Sequence, residues 1–320
     1  MDRVLVTGGA GFIGSNFVRY LLNQTKCEAI NLDKLTYAGN LNNIKDLRSE
    51  KRHKFIRGDI RNRKLVGPLV KRADAVVNFA AESHVDRSIQ TPDVFVETNV
   101  LGVQVLLEAC RRFGVRFEQI STDEVYGSRT QGSFSESDVL NPSSPYSASK
   151  ASADLLVNAY HVTYGADVVV TRSTNNYGPY QHPEKFIPTL ITNALRRKRL
   201  PIYGTGENVR DWIFVKDNCD AIRLVLEKGE KGQVYNIAGG QERSNISMAR
   251  EILNRLSLPE EMIEFVHDRP GHDFRYSLNC EKIRQLGSNP QVSFEEGIQK
   301  TIDWYKANER WWRPLVKHIC

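Results

Sequence analysis

Apolar runs and amphipathic segments alternate along the first half of the chain. Short runs rich in β-branched residues occur at 3–7 (RVLVT), 75–81 (AVVNFAA) and 167–173 (DVVVTRS). Longer segments between such runs, for example 12–23 (FIGSNFVRYLLN), repeat their apolar positions with helical spacing. Continuous apolar strands separated by amphipathic helices indicate a parallel sheet covered by helices on both faces. The pattern therefore predicts the α/β class, with a doubly wound parallel sheet.

The second half of the chain is more irregular. Prolines divide it into shorter elements, among them Pro179, Pro183, Pro188, Pro201, Pro259, Pro270 and Pro290. A length of 320 residues also favours two packed lobes. We predict that residues 1–175 form the sheet domain and that 176–320 form a smaller, mixed C-terminal substrate lobe. A strand and a helix within about 211–240 are expected to return to the sheet domain.

Composition limits the class of protein. Forty per cent of the residues are apolar and 26% are charged, as in a globular protein. No run approaches the ~18 to 20 apolar residues that a membrane-spanning helix needs, so no membrane partner is expected. The sequence starts directly with a strand-like segment rather than with a signal peptide, which leads us to expect a cytoplasmic protein.

Cysteine, histidine and net charge give no positive evidence for a disulfide, a metal or nucleic acid. The cysteines are odd in number, form no CxxC pair and are predicted to be reduced: Cys27, Cys110, Cys219, Cys280 and Cys320. The seven histidines lack a ligand spacing such as HExxH, so no metal is predicted. The charge of +6 is spread along the chain without a nucleic-acid-binding motif, and an anionic small molecule explains it equally well.

A glycine-rich turn follows the first predicted strand. Gly8, Gly11 and Gly14 form a GxxGxxG spacing between this strand and the first helix. Glycines let the turn close and let backbone N–H groups approach a pyrophosphate at the helix N-terminus. Asp33, 19 residues beyond Gly14, can accept hydrogen bonds from an adenosine ribose and would repel a 2′-phosphate. The combination predicts a Rossmann-type NAD site; the alternative is a structural turn with Asp33 as a helix cap.

Two further segments end at the same edge of the predicted sheet. Asp59, in 58–61 (GDIR), could meet an adenine amine there. The segment 78–83 (NFAAES) has small residues that allow a cofactor to pass close by.

Tyr146 and Lys150 are four residues apart at the start of a predicted helix and therefore share one face. A phenol is a poor base at neutral pH, but a neighbouring ammonium favours its anionic form. Tyr146 could then remove a hydroxyl proton while Lys150 holds a cofactor ribose. The YxxxK pair is common on helices, and it gains meaning only in combination with the glycine turn.

Asp123 and Glu124 stand side by side in 121–127 (STDEVYG), after the apolar run 117–120. They could be solvated acids of an ordinary turn, or an acid and a base that act on one substrate. Neighbours in a continuing strand point to opposite faces. We therefore predict that the strand ends near Ser121 if both acids address one ligand.

The glycine turn and the YxxxK pair resemble the extended short-chain dehydrogenase/reductase superfamily. More narrowly, the chain is similar to the dTDP-glucose 4,6-dehydratases over essentially its whole length. The segments that carry this resemblance are AAESHVDRSI (80–89), STDEVYG (121–127), YSASKAS (146–152), NNYGPYQHPEKFIP (175–188) and RDWIFVKD (210–217). Sugar 4-epimerases of the same superfamily resemble SSAxxYG at the second segment and lack the acidic pair.

The resemblance implies a reaction and assigns roles to residues. The sugar is oxidised at C4, loses water across C5 and C6, and receives the hydride back at C6. Tyr146 takes the C4 hydroxyl proton, Thr122 binds the C4 oxygen, Glu124 is the base at C5 and Asp123 is the acid at C6. A carboxylate and a protonated acid in different environments suit the elimination step.

The resemblance also implies the binding residues. The NAD site is expected to comprise Gly8, Gly11, Phe12, Ile13, Gly14, Asp33, Lys34, Thr36, Asp59, Ile60, Phe79, Ala80, Ala81, Ser83, Thr98, Tyr146, Lys150 and Asn176. The nucleotide-sugar site is expected to comprise Ser83, Thr122, Asn175, Glu184, Lys185, Phe186, Pro201, Ile202, Tyr203, Arg210, Asn245, Arg269, His272 and Tyr276. Arginine suits a diphosphate because its planar fork presents several donors at once, although any one of these residues could instead form a surface ion pair.

The sequence therefore predicts an NAD-dependent dTDP-glucose 4,6-dehydratase, a hydro-lyase of deoxysugar biosynthesis. A UDP-glucose 4,6-dehydratase, a nucleotide-sugar 4-epimerase and a non-catalytic NAD-binding sensor are the alternatives. A sensor needs only the cofactor site, so the joint presence of Tyr146, Lys150, Asp123 and Glu124 argues against it. In homodimers of this superfamily, helices around residues 94–113 and 147–163 pair in a four-helix bundle, and a homodimer is expected on that resemblance.

Overall fold

A seven-stranded parallel sheet forms the centre of the molecule. The computed structural model describes residues 1–268 and 271–318. The strand order in the large sheet is β3-β2-β1-β4-β5-β6-β10, and every neighbouring pair is parallel. Crossing from β3 to β10, the order reverses between β1 and β4, which is where ligands bind in open α/β sheets. The predicted doubly wound sheet is confirmed.

The strands are β1 (Arg3–Thr7), β2 (Glu28–Asp33), β3 (His53–Arg57), β4 (Ala75–Asn78), β5 (Arg116–Thr122), β6 (Val168–Ser173), β7 (Asn175–Tyr177), β8 (Leu200–Tyr203), β9 (Val209–Phe214), β10 (Val234–Ile237), β11 (Glu242–Ser244) and β12 (Ile263–Val266). The α-helices are α1 (Phe12–Gln24), α2 (Arg63–Val70), α3 (Val85–Gln90), α4 (Asp93–Phe95), α5 (Val103–Phe113), α6 (Pro145–Tyr164), α7 (Phe186–Leu195), α8 (Val215–Lys228), α9 (Asn245–Arg255), α10 (Glu281–Gln285), α11 (Phe294–Ala307) and α12 (Glu309–Trp312). A π-helical segment (Val96–Gly102) joins α4 to α5, and 3-10 segments include Leu41–Ser49 and Asp123–Tyr126.

Two apolar layers hold the helices against the large sheet. Successive residues of β1 face opposite layers, as the strand geometry requires, so that Val4 and Val6 pack with α1 and α8 while Leu5 packs with α2, α5 and α6. Phe17 of α1 and Phe117 of β5 are fully buried in these layers. Burial of each such side chain stabilises the fold by about 1.5–3 kcal/mol.

The second lobe has its own apolar core and two small sheets. The three-stranded sheet β11-β9-β7 is mixed, because β9 pairs antiparallel with β11 and parallel with β7. Strands β8 and β12 form a parallel pair. Side chains from α7, α9 and α11 pack on these strands, among them Leu190, Ile252 and Ile298. The predicted smaller, mixed lobe is thereby confirmed.

Two elements from the second half of the chain belong to the large sheet. Strand β10 pairs with β6, and α8 packs against α1. Both lie within the segment 211–240 that was expected to return; the boundary near residue 175 stays a prediction. In the part of the chain that the structure describes, no helix is both long and apolar enough to cross a lipid bilayer.

Candidate active site

One cleft runs along the carboxyl ends of the sheet strands, where the sequence predicted the site. All five residues predicted to be catalytic and all eighteen predicted to bind the cofactor line this cleft. The predicted substrate residues that line it are Ser83, Thr122, Asn175, Glu184 and Lys185. Residues from both lobes therefore meet in one cavity.

The glycine turn has the geometry that a dinucleotide site requires. Gly8 has a φ of +70°, and a Cβ at this position would lie 2.6 Å from the backbone nitrogen of Ala80. A Cβ at Gly14 would lie 2.4 Å from the carbonyl oxygen of Gly8, so the helix could not approach the turn so closely. Helix α1 begins after Gly11 without a side-chain cap, and its first N–H groups are left to meet an anion.

Asp33 is held at the end of β2 by backbone donors. Its Oδ2 accepts a hydrogen bond from the Ala10 N–H at 2.9 Å and its Oδ1 accepts one from the Leu35 N–H at 2.7 Å. Burial raises the pKa of Asp33, and these two hydrogen bonds oppose the rise. Each carboxylate oxygen has a second lone pair, which can accept a ribose hydroxyl. The glycine turn and this fixed carboxylate fit the adenosine half of NAD.

Asp59 lies in the cleft but is engaged by two cations. Lys34 and Arg61 contact its Oδ2 at 2.9 and 2.8 Å. Burial acts to raise the pKa of Asp59, but the hydrogen bonds from Arg61 and Lys34 outweigh it and hold the pKa well below its usual range. The expected contact with an adenine amine stays a prediction.

The acidic pair lies in a turn and not in the strand. Strand β5 ends at Thr122, and Asp123 and Glu124 begin the 3-10 segment that follows. The Thr122 hydroxyl caps this segment by accepting a hydrogen bond from the Glu124 N–H at 3.3 Å. Both acids line the cleft. The strand thus ends one residue later than expected, and early enough for both acids to face one cavity.

The two acids have unequal environments. Asp123 is only 2% exposed, whereas Glu124 is half-buried. Burial raises the pKa of Asp123 well above its ordinary value, the charge of Glu124 raises it further, and the charge of Arg210 opposes the rise. Within the described residues, Asp123 Oδ2 has no hydrogen-bond partner. The raised pKa favours the protonated form of Asp123, which is the form that can donate a proton to a ligand.

Tyr146 and Lys150 occupy the start of α6. Ser144 caps the helix through a reciprocal pair of hydrogen bonds with Ser147, and Pro145 occupies its first turn. The Lys150 Nζ donates to the carbonyl oxygen of Ile120 at 2.5 Å, and burial lowers the pKa of Lys150 to about 8. The helix places both side chains at the cleft.

The effect of the Lys150 ammonium on Tyr146 stays a prediction, and other groups in the pocket act on the phenol in the opposite direction. Burial, followed by the charges of Glu124 and Asp123, raises the pKa of Tyr146 well above its ordinary value, and a hydrogen bond with Thr122 only partly opposes this. The physical reasons are the burial of the phenol and, after it, the two acids that share its pocket, and the YxxxK spacing contains neither.

Several side chains from the β7–α7 connection complete the sugar end of the cleft. Glu184 has a side chain that is only 4% exposed and lies 3.5 Å from the Arg87 guanidinium. The Lys185 Nζ donates to the carbonyl oxygen of Ser83 at 2.9 Å and so ties this connection to the loop after β4. Asn175 and Asn176 each have a side-chain oxygen without a hydrogen-bond partner among the residues described.

The other predicted substrate residues that the structure describes lie outside the lining of this cleft. Phe186 stacks on Trp212, and Asn245 is the first residue of α9. Pro201, Ile202 and Tyr203 are in β8. Their placement in the second lobe is compatible with an extension of the cleft toward a nucleotide.

Arg210 lies deeper in the second lobe, with its guanidinium 4.4 Å from the ring centre of Tyr276. It donates to the carbonyl oxygens of Val209, Asp273 and Phe274 at 2.7–3.2 Å. His272 contacts Asp268 at 2.6 Å. Arg269 lies outside the described residues.

The cleft contains residues that the sequence did not point to. Beside the cleft, Tyr37 is half-buried, and the guanidinium of Arg87 lies 3.8 Å from its ring centre. Trp311 and Leu315 reach the cleft from the C-terminal end of the chain. The Trp311 indole N–H donates to the Asn43 side-chain oxygen at 2.8 Å. These positions carry no local motif, and only an aromatic residue in an otherwise charged segment could have drawn attention to Trp311.

Comparison with known proteins supports the family that the sequence resembles. A family model described as GDP-mannose 4,6 dehydratase matches residues 5–301. A dTDP-glucose 4,6-dehydratase from Streptomyces niveus is 51% identical, over 98% of this chain and 95% of the relative. The low-salt glycan biosynthesis protein Agl12 of Haloferax volcanii is 52% identical, over 96% of this chain and 99% of the relative.

A solved structure is also closely similar. It is the dTDP-glucose 4,6-dehydratase DesIV from Streptomyces venezuelae with NAD and TYD bound, with a TM-score of 0.96, 52% identity and coverage of 98% of this chain and 99% of that one. Fold and site together define an extended short-chain dehydrogenase/reductase that acts on nucleotide sugars. The chain belongs to the nucleotide-sugar dehydratase family that the GDP-mannose 4,6 dehydratase model describes, and its resemblance to the dTDP-glucose 4,6-dehydratases is confirmed.

Proposed function

We propose that the protein is an NAD-dependent dTDP-glucose 4,6-dehydratase, a hydro-lyase that forms dTDP-4-keto-6-deoxyglucose. The observation that carries this proposal is the turn after β5, which brings Asp123 and Glu124 into one cleft with Tyr146 and Lys150. An alcohol oxidation needs only the last two residues. The additional pair of acids in unequal environments is what an elimination of water requires.

The glycine turn and Asp33 hold the pyrophosphate and the adenosine ribose of NAD, and Lys150 holds its second ribose. When bound, NAD supplies a hydride acceptor for C4 of the sugar and a hydride donor for C6. Its negatively charged pyrophosphate suits the uncapped N-terminus of α1.

At the reacting sugar, Tyr146 takes the proton of the C4 hydroxyl and Thr122 donates a hydrogen bond to the C4 oxygen. Once C4 is a ketone, Glu124 removes the C5 proton, which the ketone has made acidic. Asp123 protonates the C6 hydroxyl as it leaves as water. C6 of the resulting enone then receives the hydride, and C5 regains a proton. Before it gives up its own proton, Asp123 carries no charge, so one of the two negative charges that raise the pKa of Tyr146 is absent while Tyr146 acts on the C4 hydroxyl.

The second lobe binds the nucleotide. Arg210 supplies positive charge near the acid turn, since it acts on the pKa of Asp123. We assign the base and the diphosphate to a set of residues on β8, α9 and the segment 271–278: Pro201, Ile202, Tyr203, Asn245, His272 and Tyr276. Arginine and amide donors match diphosphate oxygens.

The alternatives differ in what they require of these residues. A 4-epimerase has no step for Asp123 and Glu124, and an NAD-binding sensor has no use for Tyr146 beside them. A UDP-glucose 4,6-dehydratase uses the same chemistry, so only the nucleotide distinguishes it from the proposed activity.

The test is to incubate the purified protein separately with dTDP-, UDP- and CDP-glucose. We expect a 4-keto-6-deoxy product from dTDP-glucose without net consumption of NAD. A product from another nucleotide alone would overturn the substrate, and a 4-epimer would overturn the reaction. No product from any of them, with NAD still bound, would favour the sensor.

We also propose that the protein is a cytoplasmic homodimer. The segments 94–113 and 147–163 expose apolar side chains, including Val96 (56%), Leu155 (61%) and Val162 (73%). Apolar side chains on adjacent helices suit a four-helix bundle between two copies. The four described cysteines are free, as expected in a reducing compartment. Light scattering of the purified protein tests the dimer.

A further inference from the structure

A buried polar cluster lies directly behind the catalytic residues. The Asp154 Oδ2 accepts hydrogen bonds from the Ser121 hydroxyl at 3.0 Å and from the Arg172 Nε at 2.9 Å. Arg172 Nη1 also donates to the Tyr126 hydroxyl at 2.7 Å, which in turn donates to the Asn236 side-chain oxygen at 2.9 Å. Every member of this cluster is buried. Such a network is costly to assemble unless its groups satisfy one another.

The cluster joins the three elements that carry the catalytic residues. Asp154 is on α6, four residues after Lys150 and eight after Tyr146, so the three lie along one helix face. Ser121 immediately precedes Thr122 at the end of β5. Tyr126 ends the 3-10 segment that begins with the two acids. A displacement of Asp154 would therefore disturb both the helix that carries Tyr146 and Lys150 and the strand end and turn that carry the other catalytic residues.

Lys150 is a buried cation with a neutral hydrogen-bond partner. Its side chain donates to the carbonyl oxygen of Ile120, and the residue is 5% exposed. Burial disfavours an ammonium, and the charge of Asp154 opposes that effect. Asp154 Oδ1 has no hydrogen-bond partner within residues 1–268 and 271–318. The Oδ2 atom of Asp154 is thus engaged by the network, whereas Oδ1 accepts no hydrogen bond from the described residues.

Other ionisable groups surround this part of α6. Those at least partly buried on the elements packed against it, and on α6 itself, are Asp86, Glu108, Cys110, Arg116, Glu118, Asp123, Glu124, Tyr126, Arg172, Tyr146, Tyr160 and His161. Arg172 forms an ion pair with Asp154, with 2.9 Å between Nε and Oδ2. Asp154 is the group in this environment whose charge favours the ammonium of Lys150.

We propose that Asp154 is a positioning residue for the reaction: its carboxylate provides the compensating charge for the Lys150 ammonium and ties α6 to the strand and turn that carry Thr122, Asp123 and Glu124. The inference rests on the proposed function in so far as Lys150 acts in catalysis. Asp154 itself contacts neither the sugar nor the cofactor in this scheme and acts through Lys150 and Ser121.

The first test reads the charge of Lys150 without measuring activity. The full-length protein is labelled with ¹³C-lysine, and the Cε signal of Lys150 is assigned by its absence in Lys150→Met. We expect its midpoint of titration near pH 8 in the parent protein, from the pKa of about 8 for Lys150, and a decrease by about one pH unit or more in Asp154→Asn. An unshifted midpoint in folded Asp154→Asn would overturn the proposal.

Glu118→Gln is the matched control. Glu118 is a fully buried acid on neighbouring β5, and neither of its carboxyl oxygens has a hydrogen-bond partner in the described part of the chain. The substitution replaces a buried carboxyl group by an amide, as Asp154→Asn does, at a residue that makes none of the hydrogen bonds of the cluster. We expect the titration of Lys150 to be unchanged in Glu118→Gln, and an equal shift in both variants would contradict a specific role of Asp154.

The second test is the pH dependence of kcat. Lys150 acts as an ammonium, so activity is present below its pKa and is lost as pH rises through it. In Asp154→Asn, this loss is expected to begin about one pH unit lower, with the KM for dTDP-glucose unchanged. A merely structural role would lower kcat at every pH without moving the profile. Should Asp154→Asn not fold, Asp154→Ser removes the charge with a smaller side chain and is expected to show the same shift.

The two proposals fail in different ways. A parent protein that forms no 4-keto-6-deoxy product refutes the proposed function, while the titration of Lys150 still decides whether Asp154 supports its charge. An active parent protein with the same profile and the same Lys150 titration as folded Asp154→Asn refutes the role of Asp154 alone.

Discussion

At the scale of single residues, the chemistry depends on how differently two neighbours are placed. Asp123 is buried with one unpaired carboxyl oxygen among the described atoms, while Glu124 is half-buried in the same turn. The adjacent positions in the sequence do not reveal this difference. It follows from the turn after β5, which directs the two side chains into different surroundings.

Glu124→Gln is expected to lower kcat by a factor of about 10² to 10⁴, the usual contribution of a general base. The amide cannot remove the C5 proton, so incorporation of solvent deuterium at C5 should be lost together with product formation. Mass spectrometry of the product in deuterated water measures both. Glu264→Gln, an exposed position on β12, is the control and should behave as the parent protein. Normal turnover in Glu124→Gln would remove this residue from the mechanism.

His182 makes the stability of the fold sensitive to acid. Burial lowers the pKa of His182 from 6.5 to about 4, helped by the charges of Lys185 and Arg87. The unfolded chain binds this proton more readily, so the contribution is fully present above pH 6.5 and is lost as pH falls toward 4. The free energy of unfolding should fall by up to about 3 kcal/mol over this window.

The measurement is urea unfolding of the parent protein and His182→Gln between pH 4 and pH 7. The free energy of unfolding of His182→Gln is expected to fall less between pH 7 and pH 4 than that of the parent protein. His267→Gln changes an exposed histidine and serves as the control. Identical slopes for His182→Gln and the parent protein would show that His182 does not drive the acid sensitivity.

At the scale of elements, the site depends on a few close approaches between strands, turns and helices. The glycine turn lies against the loop after β4 because Gly8 has no Cβ, and α1 approaches the turn because Gly14 has none. Lys185, in the connection between β7 and α7, donates a hydrogen bond to the Ser83 carbonyl oxygen of the same loop. The cofactor cleft is thus shaped by backbone contacts as much as by side chains.

Gly8→Ala is expected to destabilise the protein by about 1–3 kcal/mol, from the strained conformation, and by more from the clash with Ala80. It should also reduce the amount of NAD that copurifies. Gly132→Ala is a matched control, because Gly132 has a similar φ of +72° but a Cβ there would have no described atom within 4 Å. Thermal unfolding and the absorbance of bound NAD compare the two. Equal effects would show that backbone strain alone, rather than the clash, decides the outcome.

At the scale of the whole molecule, the C-terminal end of the chain closes one wall of the cofactor cleft. The indole of Trp311 donates to Asn43, and the Asn43 side-chain nitrogen donates to the Ala10 carbonyl oxygen at 2.8 Å. Ala10 lies in the glycine turn, so these two hydrogen bonds connect α12 to the cofactor site across 268 positions of sequence between Trp311 and Asn43. The first lobe and the end of the second therefore form the cavity together.

Trp311→Phe keeps an aromatic ring but removes the donor to Asn43. We expect a loss of about 1 kcal/mol in stability and faster release of NAD, because the wall beside the glycine turn is less well held. Trp212→Phe is the control, since the Trp212 indole nitrogen is buried without a hydrogen-bond partner in the described structure. The rate of NAD release, followed by fluorescence after dilution, is the measurement. Equal release rates in Trp311→Phe and the parent protein would contradict this role.

The sequence by itself determined the class of fold and the main chemical groups. A strand buried on both faces is a continuous apolar run, whereas a helix buried on one face repeats its apolar residues with helical spacing. The alternation of these two patterns predicts a parallel sheet with helices on both faces. The glycine turn, Asp33, Tyr146 with Lys150, and the acidic pair each combine local spacing with one chemical requirement, and all of them line one cleft. Their roles in the reaction stay proposals that the variants above test.

Only the tertiary structure decided how those groups influence one another. The raised pKa of Tyr146 and the support of Lys150 by Asp154 depend on burial and on charges from other elements, which no local spacing contains. The contact of Trp311 with Asn43 joins distant parts of the chain, and nothing in either segment specifies the other. The physical reason is that residue types are read directly from the sequence and local geometry is determined by neighbouring residues, whereas desolvation and long-range electrostatics arise only once the chain is packed.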